Sequence, residues 1–121
     1  MNDSMSQPSV ALSRKILGPV PFKARFPAGR LKPPVGILPG DVRSLPELHL
    51  FLEPDDASLP GVNLKALPEW IEASIGDKEL AASVQTIVDQ SVNYVEDCMR
   101  VCKVVGVRLD QARKIIKETK V

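Results

Sequence analysis

Residues 69–121 contain no proline, although the chain has eleven; all of them fall at or before Pro68. The proline-free stretch also carries the only sustained helical periodicity, so the sequence reads as two different physical objects. Histidine occurs once and cysteine twice, too few for a four-ligand zinc site drawn from those residue types alone, or for a disulfide framework. Cys98 and Cys102 lie one helical turn apart, near the upper end of disulfide reach, and the helix around them favours reduced thiols and a reducing, cytoplasmic compartment. Aromatic residues make up only 4% of the chain, so the core must be aliphatic. No apolar run is long enough to span a bilayer: Val10–Phe26 is broken by Pro19, Pro21, Arg14, Lys15, Lys23 and Arg25. The same interruptions deny the N-terminal region the apolar core of a secretory signal. None of the seven glycines falls in a GxGxxG or Walker pattern, which leaves no phosphate cradle, and there are no internal repeats.

The net charge of +1 conceals an uneven distribution. Through Gly40 the chain is basic, from Asp41 to Glu79 it is acidic, and from Leu80 onward it is mildly basic again. Residues 1–40 read as an extended, basic, proline-rich arm, with a short helical turn at ALSRKIL. Each proline removes a backbone donor and biases the residue before it toward extended geometry. Yet Ile16, Leu17, Val20, Phe22, Phe26, Leu31, Val35, Ile37 and Leu38 make the arm too apolar for a flexible linker. It should wrap a surface, its own or a partner's.

Residues 41–121 read as a small helical domain. Ser44, Pro46 and Glu47 are a capping serine, a first-turn proline and a third-position glutamate, predicting a short helix over Leu45–Leu52, with a buried strand at HLFL as the alternative. Ala57–Asn63 reads as a loop. A helix should begin at Pro68 and end at Gly76, after which Asp77 caps the next. From Lys78 to about Val104 the positions Leu80, Val84, Ile87, Ser91, Tyr94, Cys98, Val101 and Val105 predict one long helix, broadened by a flanking row that includes Val92, Val95, Met99 and Cys102. Gly106 is expected to end it, and a last helix should run from about Arg108 to Thr119.

Several places invite a functional reading. The stretch Cys102–Ile115 has the outline of a helix-turn-helix about Gly106, with Arg108, Arg113, Lys114 and Lys117 as the residues that would meet nucleic acid. Against it, Leu109 and Asp110 stand where base-reading polar residues usually begin. The ordinary alternative is an αα-hairpin. Cys98 and Cys102 would bind metal only across two chains, and on an apolar face they read as small hydrophobes. His49 reads as a capped or partly buried histidine, and Asp55 with Asp56 as a solvated turn. Trp70, with Ile71 and Ile75, anchors a core or an interface.

Ser44, Leu45, Glu47 and Leu48, followed by Trp70, Ile71, Ile75, Gly76, Asp77, Glu79, Leu80 and Ala81, resemble a small uncharacterised helical domain family. In that family an "sL.eL" segment precedes a tryptophan helix and a "GD.ELA" turn. The resemblance covers residues 42–83 and implies a helical fold and no activity.

The expectation is therefore a mainly α protein: a small helical bundle or αα-hairpin around one long helix, with an extended arm. In function it is a non-catalytic interaction or assembly component, such as a small subunit of a larger complex. It needs no cofactor or metal, and its partner is another protein or a second copy. Phe22, Lys23, Arg25, Phe26, Arg30 and Trp70 are the expected interface residues. The alternative is a DNA-binding regulator.

Overall fold

The computed structural model describes residues 6–32, 36–53 and 59–119. Its elements, in chain order, are α1 (Val10–Leu17), a 3-10 turn (Phe22–Ala24), β1 (Phe26–Lys32), β2 (Gly36–Val42), α2 (Leu45–Leu52), β3 (Leu59–Gly61), α3 (Leu67–Trp70), a π turn (Ile71–Ile75), α4 (Lys78–Asp89) and α5 (Tyr94–Thr119). The chain is mostly helical, with a small antiparallel sheet in the order β2-β1-β3.

That sheet is the first departure from the expected extended arm. Phe26 pairs with Val42 at one end of the β1–β2 ladder and Lys32 with Gly36 at the other. Prolines are tolerated because of where they sit. Pro39 and Pro60 belong to the two edge strands, and Pro27 lies on β1 before β3 joins it at Gly29–Leu31. A missing N–H costs a ladder bond only where a neighbour needs it. The segment predicted as a loop at Ala57–Asn63 supplies β3 in its described part, while Asp55 and Asp56 lie outside the described residues. Alternation along β1 turns Phe26 and Ala28 inward. Phe26 meets Trp70 with ring centroids 5.4 Å apart, and the Trp70 indole N–H donates to the carbonyl of Ala24 at 2.5 Å.

The remainder of the N-terminal region is also structured. Ser9 caps α1, its hydroxyl accepting from the Leu12 N–H at 3.0 Å, and α1 packs on α5 with Ile16 fully buried. The Val20 N–H then donates to the carbonyl of Arg43, tying the segment after α1 to the entry of α2.

α2 forms over the predicted residues. The Ser44 hydroxyl accepts from the Glu47 N–H, and the Glu47 carboxylate reaches back to the N–H of Arg43 at 2.9 Å and to its guanidinium at 3.1 Å. The box thus closes one residue upstream of its usual partner. Gly76 ends the π turn with φ of 84°, a conformation that costs other residues energy, and Asp77 caps α4 through the Leu80 N–H at 3.1 Å.

The predicted single helix from Lys78 to Val104 is two. α4 stops at Asp89, and Asn93 starts α5 by accepting from the Glu96 N–H at 2.9 Å. Asp97 accepts from the Val92 N–H and the Ser91 hydroxyl. The Asn93 and Asp97 side chains thus satisfy two of the backbone donors that the break exposes. The second correction lies further on: Gly106 ends nothing, and α5 runs through it to Thr119. Leu48, Leu52, Ile71, Leu80, Val84, Val101, Val105 and Leu109 share one aliphatic core, in contact across α2, the π turn, α4 and α5. No described helix is long and apolar enough to cross a membrane.

The Arg43 guanidinium and backbone N–H hold the Glu47 carboxyl below its ordinary value of 4.5, chiefly through the side-chain hydrogen bond. A carboxyl depressed in the folded state contributes stability that is present above its unfolded value and is lost as pH falls through the folded one. Glu47→Gln should therefore flatten the acid limb of the stability curve below about pH 4.5 and lower stability at pH 7, as read by urea denaturation across pH.

Candidate functional site

α5 touches α1, α2, α4 and β3, and the polar features that stand out in the described residues all border it. The most buried is at Arg108, whose side chain is fully enclosed. Its Nε donates to Asp77 Oδ2 at 2.7 Å and its Nη2 to Asp77 Oδ1 at 3.0 Å. Nη1 donates to the carbonyl of Ser6 at 2.7 Å and to Gln111 Oε1 at 3.0 Å, and Nη2 also reaches Glu79 at 3.4 Å. The Ser6 hydroxyl and N–H bond Glu79 in turn and, with some help from Arg108, hold its carboxyl below the ordinary range. Every guanidinium nitrogen is engaged and both Asp77 oxygens accept, which is the condition for burying such a pair. The network is a structural tie.

This placement corrects the helix-turn-helix outline drawn for the nucleic-acid alternative. A helix-turn-helix needs a turn at Gly106, and the backbone there is helical on both sides. Arg108 is enclosed rather than displayed, while Arg113, Lys114 and Lys117 are exposed on the last turns of the same helix. Three cations on one continuous helix end do not make a two-helix reading head.

The second feature brings together residues far apart in sequence. His49 and Glu53 stand one turn apart at the end of α2, with His49 Nδ1 4.0 Å from Glu53 Oε1. Cys102, from the middle of α5, directs its thiol toward the carbonyl of His49 at 3.9 Å. One donor atom from each of the three lies within 4.8 Å of the others. Burial, with a smaller contribution from the Glu53 charge, raises the Cys102 thiol above its ordinary value of 9.0, so it is not a primed nucleophile. Gly106 eases the approach of the imidazole, because a Cβ there would sit 3.1 Å from His49 Nε2 and the ring would have to give by a few tenths of an ångström. A glycine inside a helix costs about 1 kcal/mol relative to alanine, and the approach of the imidazole is what that position accommodates. Cys98, by contrast, is fully buried in the core, and the two cysteines are not joined in a disulfide.

The third feature is apolar. At the start of α5, Val92 just before the helix and Val95 and Met99 on its first turns are 69%, 36% and 51% exposed. These residues were expected to broaden a buried face; instead they face solvent. Tyr94 beside them anchors the helix start: its hydroxyl donates to the carbonyl of Pro60 and accepts from the Val62 N–H at 2.9 Å.

The residues expected at an interface scatter. Phe26 and Trp70 are buried against each other, so their apolar surface is used within the chain. Lys23 is exposed and Arg25 half-buried. Phe22 and Arg30 lie in the 3-10 turn and β1, and their side chains fall outside the described residues. The cluster at His49 went unread because its third member, Cys102, is brought in only by α2 packing on α5. The one local signal was the i, i+4 spacing of His49 and Glu53.

No family model, no curated protein and no solved structure matches this chain.

Two substitutions test this geometry. Arg108→Ala should cost about 3–5 kcal/mol, because Asp77 is left charged, buried and without its partner, and denaturant unfolding reads the loss directly. Gly106→Ala should raise stability by about 1 kcal/mol in a His49→Ala background and by less with His49 present. Equal gains in the two backgrounds would show that the imidazole does not press on that position.

Proposed function

We propose that this protein is a non-catalytic assembly component that pairs with a second copy of itself through the start of α5. The observation that carries this reading is the exposure of Val95 and Met99, one turn apart on α5, together with Val92 just before the helix, three apolar side chains open to solvent. Val95 and Met99 share one side of α5, the i, i+4 pattern by which helices bury a seam against each other, and Val92 extends that apolar patch beyond the helix start. Isolated exposed apolar residues are ordinary on any surface, whereas a contiguous stripe of them is a liability in water unless something covers it.

The charges beside the stripe favour self-pairing. Glu96 and Lys103 are both exposed, seven residues apart on α5, and flank the apolar positions. In an antiparallel arrangement with a two-fold axis near Met99, Glu96 of each helix faces Lys103 of the other. A self-complementary patch of this kind is what a two-fold interface requires. The pairing draws its affinity from apolar burial, and the flanking charges set register and orientation.

Light scattering on the purified protein over a concentration series tests the reading. The mass should rise toward about twice the 13.2 kDa of one chain, and Val95→Glu or Met99→Glu should return it to one chain with the helical circular dichroism unchanged. A single-chain mass at every concentration overturns self-pairing. So does a dimer that neither substitution weakens.

A further inference from the structure

We propose that His49, Glu53 and Cys102 form a Zn2+ site that clamps the end of α2 to the middle of α5. The inference is separate from the self-pairing surface; the cluster begins one turn beyond Met99 and does not need the stripe.

The chemistry of the three donors is specific. An imidazole nitrogen, a thiolate sulfur and a carboxylate oxygen make a borderline-soft set suited to Zn2+, whereas Mg2+ and Ca2+ seek oxygen ligands. Bonds of about 2.0 Å to nitrogen or oxygen and about 2.3 Å to sulfur place tetrahedral donors about 3.3–3.7 Å apart. The donor atoms already lie within 4.8 Å of one another, and His49 Nδ1 is 4.0 Å from Glu53 Oε1. Closing round an ion therefore takes about an ångström of side-chain movement, most easily from Glu53, which is 57% exposed.

The arrangement of elements supports the same conclusion. His49 lies on the last turns of α2 and Glu53 is its C-terminal cap residue, an i, i+4 spacing that brings the two side chains close enough to share an ion. Cys102 is half-buried and held by α5, so the third donor comes from a rigid element. Gly106 keeps the space beside the imidazole clear. Three protein ligands leave a fourth position for water, on the side where Glu53 meets solvent. On binding, the Cys102 thiol gives its proton to solvent and the sulfur takes the ion as thiolate. With a cation between them, the Glu53 carboxylate and the Cys102 thiolate no longer repel.

Co2+ serves as the spectroscopic probe, added to the reduced full-length chain carrying no polyhistidine tag. The expected result is a thiolate-to-cobalt charge-transfer band with tetrahedral-intensity visible bands, saturating at one ion per chain and bleached by Zn2+. Cys102→Ser should abolish the charge-transfer band, and His49→Gln and Glu53→Gln should each weaken Zn2+ binding by about tenfold or more in calorimetric titration. Glu53 is exposed enough that its substitution leaves the fold intact, and Cys98→Ala serves as the thiol control. The proposal is overturned by the absence of a charge-transfer band in the unsubstituted protein, or by a band that survives Cys102→Ser. It is equally overturned if Glu53→Gln binds Zn2+ as tightly as the parent chain.

Discussion

The buried pair of Asp77 and Arg108 is the constraint around which the helices are arranged. Removing both charges from water costs several kcal/mol for each ion, and only near-complete hydrogen bonding offsets that cost. Asp77 is simultaneously the cap of α4, through the Leu80 N–H, and the counterion of Arg108 in α5. The start of one helix is thereby registered against the middle of another, and the Ser6 carbonyl brings the N-terminal region to the same point. A slip of one residue along α5 would move Arg108 about 100° round the helix and leave Asp77 buried without a partner. Aliphatic packing alone tolerates such shifts far better, because one leucine contact substitutes for another.

Once α5 is held in this register, the other features follow from its faces. Val101, Val105 and Leu109 enter the core. Gly106 falls under α2, where the absence of a side chain admits the His49 ring, and Cys102 comes to rest beside the same histidine. The opposite consequence appears at the helix start, where Val92, Val95 and Met99 are left exposed among the described residues. The proposed zinc clamp and the proposed pairing surface are thus two outcomes of one helix placement. One uses a side of α5 that α2 covers, and the other a side that nothing within the described residues covers.

Local signals in the sequence were reliable where a few adjacent residues complete a hydrogen-bonded unit. Ser44 with Glu47 placed α2, and Gly76 with Asp77 placed the junction before α4, because capping is settled within one turn of chain. The same logic was present at Asn93, whose side chain starts α5 by accepting from the Glu96 N–H. The uninterrupted apolar rhythm across Ser91 and Tyr94 masked it. Gly106 misled in the opposite direction: glycine often terminates helices, yet here hydrogen bonding continues through it because packing on both sides outweighs a propensity cost of about 1 kcal/mol. The prolines of residues 19–39 argued for an extended arm rather than a sheet, whereas strand edges accept proline wherever no neighbour needs its N–H.

What the sequence by itself determined was the helical character of the second half, the aliphatic core, the caps, and the exclusion of a bilayer-spanning segment from Val10–Phe26. All of these depend on composition and on residues within a turn of one another. Tertiary structure alone decided that residues 26–32 and 36–42 pair as antiparallel strands, that Arg108 is enclosed, and that Cys102 meets His49 and Glu53. Those outcomes join positions far apart along the chain, and a pairing becomes visible only when packing has selected which faces meet. The physical reason is that periodicity specifies which side of an element is apolar, while the identity of the surface that covers it depends on the register of every other element at once.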